Sequence, residues 1–168
     1  MRCNLALALL IVGSAPAWGG PIAEQFGSGY DGVRWGLPLS DLVGMMPEGE
    51  HYFANGPGHR DYAVKSDAPL LGVPRSGTRV RFYLDKDDRV ETIAISIPYD
   101  QYQHLLGVLI SQFGRYTQVS DIGAMTHYWW KDDQQVRVGL RVTKDPRYGI
   151  AEFWISRSTS NAPRVTCK

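Results

Sequence analysis

The chain has 168 residues, 18 basic and 17 acidic side chains, a formal charge of +1 and two cysteines. So even a balance gives no electrostatic case for binding nucleic acid or an anionic membrane surface. The length suits one domain with a proper core.

Arg2 precedes an apolar run, Leu5 to Val12, that holds no acid or base. These are the charged and hydrophobic regions of a secretory signal peptide. The run is too short for a membrane span of about 20 residues. It ends at Gly13-Ser14, after which Ala15-Pro16-Ala17 offers the small residues a signal peptidase reads. Cleavage is expected after Ala17, with Gly19 as the alternative. The expected organisation is a signal peptide over 1–17, a flexible lead-in over 18–29, one α+β domain over 30–157 and a flexible tail over 158–168. The product is expected in the periplasm or secreted, with no transmembrane segment. Cleavage removes Arg2 and Cys3, leaving 17 basic against 17 acidic residues and Cys167 as the one thiol. An internal disulfide is then impossible, and Cys167 reads as a tail thiol without a role. Cys3 lies before the apolar run, so it is not a lipid-attachment cysteine.

Val33-Arg34-Trp35 predicts a short first strand, and Gly36 turns the chain toward a short helix. There Leu39, Leu42, Val43 and Met46 recur at helical spacing, Ser40 or Asp41 can cap the start, and Pro47 stops it. From His51 to Gly77 the pattern weakens into a long loop, with a turn at Asn55-Gly56-Pro57-Gly58 and one strand-like stretch, Asp61 to Lys65. Val80, Phe82 and Leu84 then alternate with Arg79, Arg81 and Tyr83, and Lys86-Asp87-Asp88 links this strand to Val90 through Ile97 as a hairpin. Pro98 ends the second strand. Asp100 is expected to cap a longer helix with Gln103 reaching back, and Tyr102, Leu105, Leu106, Leu109, Ile110 and Phe113 form its apolar stripe. Gly114 closes it. After a loop containing Asp121-Ile122-Gly123, strands are predicted over Met125–Lys131, Gln135–Val142 and Ile150–Arg157. The fold class is α+β: an antiparallel sheet packed on one side by two helices, with the order of helix then strands arising twice. Phe82 to Asp88 echoes Tyr128 to Asp133, each an aromatic strand end running into an acidic turn.

No catalytic constellation emerges. His51, His59, His104 and His127 stand in no metal-binding spacing, and Arg60 between His59 and Asp61 argues against a loop site, so neither a metal nor a cofactor is expected. Ser76 lacks the flanking glycines of a nucleophile elbow. Asp87-Asp88 and Asp132-Asp133 fall in hairpin turns, where acids are ordinary turn formers. The pattern singled out is a set of arginines and aromatics opposite the core positions: Arg79, Arg81 and Tyr83 on one strand, Arg137 and Arg141 on another, with Trp130 and Trp154. Such residues are enriched where surfaces bind partners. They equally suit a solvated face whose arginines pair with Glu91, Glu152 and the turn acids.

The segment Gly32-Val33-Arg34-Trp35-Gly36-Leu37-Pro38-Leu39-Ser40-Asp41-Leu42 resembles the opening of many small exported bacterial proteins. The element order resembles the tandem α+β repeats of beta-lactamase inhibitor proteins and of small outer-membrane assembly lipoproteins. The chain departs from both, lacking the lipid-attachment cysteine of the one and the disulfides of the other, so no functional residue is carried over. The expectation is a periplasmic, non-enzymatic protein that binds another envelope protein through its sheet face or the loop from His51 to Gly77, as an assembly factor or a hydrolase inhibitor would. A cell-wall hydrolase using the turn acids and a small-ligand carrier are the alternatives.

Overall fold

The computed structural model describes residues 20–53, 60–131, 136–145, 147 and 149–157. The expected signal peptide, the tail with Cys167, the turn at Asn55 to Gly58, His59 and the pair Asp132-Asp133 lie outside them. Three α-helices and ten strands follow in the order α1 (Pro21–Phe26), β1 (Gly29–Tyr30), β2 (Val33–Arg34), α2 (Leu39–Met45), β3 (Glu50–Phe53), β4 (Arg60–Ser66), β5 (Thr78–Leu84), β6 (Val90–Pro98), α3 (Tyr102–Phe113), β7 (Gln118–Ile122), β8 (Met125–Lys131), β9 (Val136–Thr143) and β10 (Ile150–Arg157). The fold is α+β and dominated by its sheet.

That sheet has eight strands in the order β3-β4-β5-β6-β10-β9-β8-β7. Every pairing in it is antiparallel. Each run of four strands, β3 to β6 and β7 to β10, is a meander preceded by a helix, and the two meet where their last strands pair. The echo between Phe82–Asp88 and Tyr128–Asp133 does not follow this symmetry. The first lies at the turn between the third and fourth strands of its meander, the second between the second and third.

Strand side chains alternate between faces. Val80, Phe82, Leu84, Ile93, Ile95 and Ile97 are buried with Val138, Leu140, Phe153 and Ile155, and Ile22 and Phe26 of α1, Leu42 of α2 and Leu105 and Leu109 of α3 belong to the same cluster. Helix α1 lies within the 18–29 segment expected as a lead-in. Ile22 and Phe26, one turn apart, are both buried, and the Phe26 ring lies 5.8 Å from that of Phe153 and 6.1 Å from that of Phe113. The Gly-rich stretch after it forms the β1–β2 hairpin, where Asp31 and Gly32 take positive φ values of 51° and 80°. This is the Asp-Gly chemistry of a two-residue hairpin turn. Trp35 donates its indole N–H to the Phe26 carbonyl at 2.8 Å and ties hairpin to helix.

Other local expectations also change. Within the loop expected from His51 to Gly77, 51–53 belong to β3 and 60–66 to β4, which pair with each other, and 67–77 join β4 to β5. Asp121 and Ile122 end strand β7 instead of lying in a loop. Helix α3 is entered through a 3-10 turn at Tyr99–Gln101, so Asp100 does not cap it, and no side chain does. Gly114 ends the helix with φ at 77°, a conformation open to glycine.

Phe26 joins α1 to both sheet and helix, so Phe26→Ala should cost about 3–5 kcal/mol in urea unfolding. A loss within the range of surface substitutions, about 0.5 kcal/mol, would show that the N-terminal helix is dispensable.

Candidate functional site

The second face of the sheet is where charge and aromatic surface collect. Cross-strand register lines up one row on it: Ala63 opposite Arg81, Arg81 opposite Ala94, Ala94 opposite Trp154, Trp154 opposite Gly139, and Gly139 opposite Trp129. Large and small residues alternate along this row, so each long side chain has a small neighbour to lie over. The fit is tightest at Gly139, where a Cβ would fall 2.7 Å from the ring carbons Cε3 and Cζ3 of Trp129. No strand read alone displays this pattern, because it exists only across strands.

Of the predicted set, Arg79, Arg81, Tyr83, Arg137, Arg141 and Trp154 share this face, and Trp130 does not. Trp130 is 1 % exposed in the core, paired with Val138, and donates its indole N–H to the Gly114 carbonyl at 2.8 Å. Strand alternation gives the outward place to its neighbour Trp129, opposite Gly139. His127, two residues earlier, lies on the same face as Trp129, and their rings stack at 6.3 Å and 22°.

Most of the arginines have partners. Arg141 pairs with Glu152 and lies 4.9 Å over the Trp154 ring, while Trp154 donates to the same Glu152 carboxylate at 3.2 Å. Tyr83 stacks on Trp154 at 5.3 Å and 19°. Arg81 reaches the Tyr83 hydroxyl at 3.3 Å and Asp61 Oδ2 at 3.3 Å. Arg79 faces Glu50 at 3.8 Å. The predicted cross-strand pairing is thus realised with Glu152 and with two acids, Asp61 and Glu50, on strands that sequence reasoning left weak or missed. Arg137 and Lys131 differ: they are exposed, directly opposite each other on β9 and β8, and form no ion pair among the described residues.

Asp61 is only 3 % exposed, and its Oδ1 has no hydrogen-bond partner among the described residues. Burial pushes its carboxyl above the usual range, and Arg81 partly opposes this. Burial, reinforced by the Arg141 charge, holds the His127 imidazole below its usual value.

Two hollows flank Trp129. One, about 200 Å³, lies between Trp129 and Trp154 with Gly139 and Leu140 beneath and His127 and Arg141 at its sides. The other, about 340 Å³, is lined by Thr117, Gln118, Trp129, Trp130, Lys131 and Arg137. A larger hollow of about 510 Å³ runs between the first hairpin and 68–71, with Asp31 and Arg34 as its charged lining. It gathers no set of groups that could run acid–base or nucleophilic chemistry. The turn acids are occupied locally, Asp87 by Lys86 and Asp88 by Arg60. Among the described residues no three His, Cys, Asp or Glu side chains converge as metal ligands, and no helix is long and apolar enough to cross a membrane. No protein-family model, curated protein or solved structure matches the chain.

Arg81→Ala strands a buried carboxylate and should cost about 1–3 kcal/mol in urea unfolding, whereas Arg137→Ala should stay within about 0.5 kcal/mol. Equal losses in the two variants would show that Asp61 does not depend on Arg81. For His127, an NMR titration should give a midpoint below the free imidazole value of about 6.5, moving upward in Arg141→Gln. Its neutral form is favoured by the fold, so its contribution to stability is whole above the unfolded value and is lost as pH falls through the lower folded one. A midpoint at or above the free value would refute this environment.

Proposed function

We propose that the chain is an exported, non-enzymatic protein of the bacterial periplasm whose arginine and tryptophan face binds another envelope protein. In this reading the two helix-plus-strands units set their helices on one side of the sheet and leave the other side to the partner. The observation that carries it is the fixed array of Tyr83, Trp154 and Trp129 with Arg81 and Arg141. Its aromatic rings and guanidinium groups are already held by stacks and ion pairs, so little side-chain freedom remains to be lost on binding. Pre-organised Trp, Tyr and Arg surfaces are where binding energy concentrates. An assembly factor or an inhibitor of a hydrolase would use such a surface. The competing enzyme reading relied on acids in the hairpin turns, and Asp87 and Asp88 are engaged by neighbouring cations.

The test is affinity capture from an envelope extract with the purified protein as bait and Trp129→Ala/Arg137→Ala as control. Neither substitution strands a buried charge. One stoichiometric partner, lost with the double variant, is the expected result. Retention of every bound protein by the double variant, or no partner at all, would count against the face and return weight to a hydrolase or carrier.

A further inference from the structure

We propose that the gap between Trp129 and Trp154 receives one apolar side chain of an extended protein segment, and that Lys131 and Arg137 receive an Asp or Glu two residues away in that segment. This rests on the reading of the face as a protein-binding surface.

The size of the gap selects the occupant. At about 200 Å³ it falls below the roughly 300–1,000 Å³ of pockets that enclose a drug-sized ligand. The indoles of Trp129 and Trp154 bound it together with Gly139, Leu140, His127 and Arg141, so an apolar side chain entering it is desolvated against surface that is mostly aromatic. A sugar ring would bring hydroxyls around its whole edge. The indole N–H of Trp154 and one terminal nitrogen of Arg141 already serve Glu152, which leaves the buried Arg141 Nε, without a partner among the described residues, and the His127 imidazole to receive a whole edge of hydroxyls.

Charge supplies the second half. Like charges directly opposite on neighbouring strands repel, yet Lys131 and Arg137 occupy such a pair with no ion pair among the described residues. An acid bound between them offsets that repulsion. Arg137 is two residues from Gly139 and Lys131 two from Trp129, which on a strand is about 7 Å. An extended partner segment has the same spacing between side chains on one face. An apolar residue in the gap therefore brings the residue two positions away over the cation pair.

The test uses the ¹⁵N-labelled purified protein and synthetic blocked peptides with the core Asp-Ser-Phe, observed by NMR at low ionic strength. The Trp129 and Trp154 indole signals and the Lys131 and Arg137 amides should shift together on titration. Replacing Asp by Asn in the peptide should weaken binding about fivefold, and replacing Phe by Ala about tenfold or more. Lys131→Gln/Arg137→Gln should abolish the difference between the Asp and Asn peptides while leaving the spectrum of the free protein folded. Gly139→Ala should weaken all the Phe peptides alike by displacing Trp129. Equal affinity for the Asp and Asn peptides, shifts outside these residues, or a response to chitotetraose and not to peptide would each overturn the proposal. The capture experiment separates its failure from that of the broader reading. A partner lost with Trp129→Ala/Arg137→Ala but retained by both Gly139→Ala and Lys131→Gln/Arg137→Gln keeps the face and removes this occupant. Absence of both partner and peptide binding removes both.

Discussion

The pairing of β6 with β10 is the constraint on which the architecture depends. It runs from Thr92 opposite Ser156 to Pro98 opposite Ile150, and it is the one seam that turns two four-stranded meanders into a continuous sheet. Ile93, Ile95, Phe153 and Ile155 beside it are fully buried, so the same contacts that join the halves fill the centre of the core. The seam also brings Ala94 against Trp154 and thereby assembles the second face from both meanders. Neither meander alone carries Tyr83, Trp154 and Trp129 together.

The two faces answer different demands. On the core face, apolar side chains are interchangeable so long as volume is kept, which is why alternation along each strand suffices to describe it. On the other face, position matters more than type. Ala63, Ala94 and Gly139 are small because Arg81, Trp154 and Trp129 need somewhere to lie. Glu152 serves Arg141 and Trp154 at once, and Asp61 is buried beside Arg81. Among the described residues, Arg81, Arg141 and Arg79 are paired with acids while Lys131 and Arg137 form no ion pair, which gives the face a direction.

Strands and helices with strong periodicity were legible in the residues. Val80, Phe82 and Leu84, Ile93 to Ile97, the stripe of α3 and the alternating valines of β9 all lie where their spacing puts them. The edge strands β3 and β7 were not, because a strand with one neighbour carries no regular apolar alternation: Gln118-Val119-Ser120-Asp121-Ile122 is exposed or half-exposed throughout. Helix α1 was hidden by flanking glycines, although Ile22 and Phe26 at four-residue spacing were its signal. In β8 the run Met-Thr-His-Tyr-Trp-Trp-Lys has no polar–apolar contrast between its two parities, so only pairing with β9 reveals that Trp129 and not Trp130 faces outward. The cross-strand row of large and small residues could not be read at all until the strand order was known.

That adjacent pair of tryptophans has a consequence for how β8 finds its place. A one-residue slip ordinarily carries a penalty because it exchanges buried and exposed side chains, but exchanging Trp129 for Trp130 replaces one indole by another and leaves hydrophobicity almost indifferent. Discrimination falls instead to two glycines. Gly139 accepts a ring lying flat on the strand at one position only, and the Gly114 carbonyl offers a hydrogen bond to an indole N–H arriving from the other face. Slipped one way, the outward Trp130 lies opposite Arg137 and not on a glycine; slipped the other way, Lys131 takes the buried place opposite Val138 and no indole N–H is left there for the Gly114 carbonyl. Alignment of this half of the sheet is thus policed by shape at Gly139 and by what occupies the buried place opposite Val138 at the end of α3, more than by the exchange of one indole for the other.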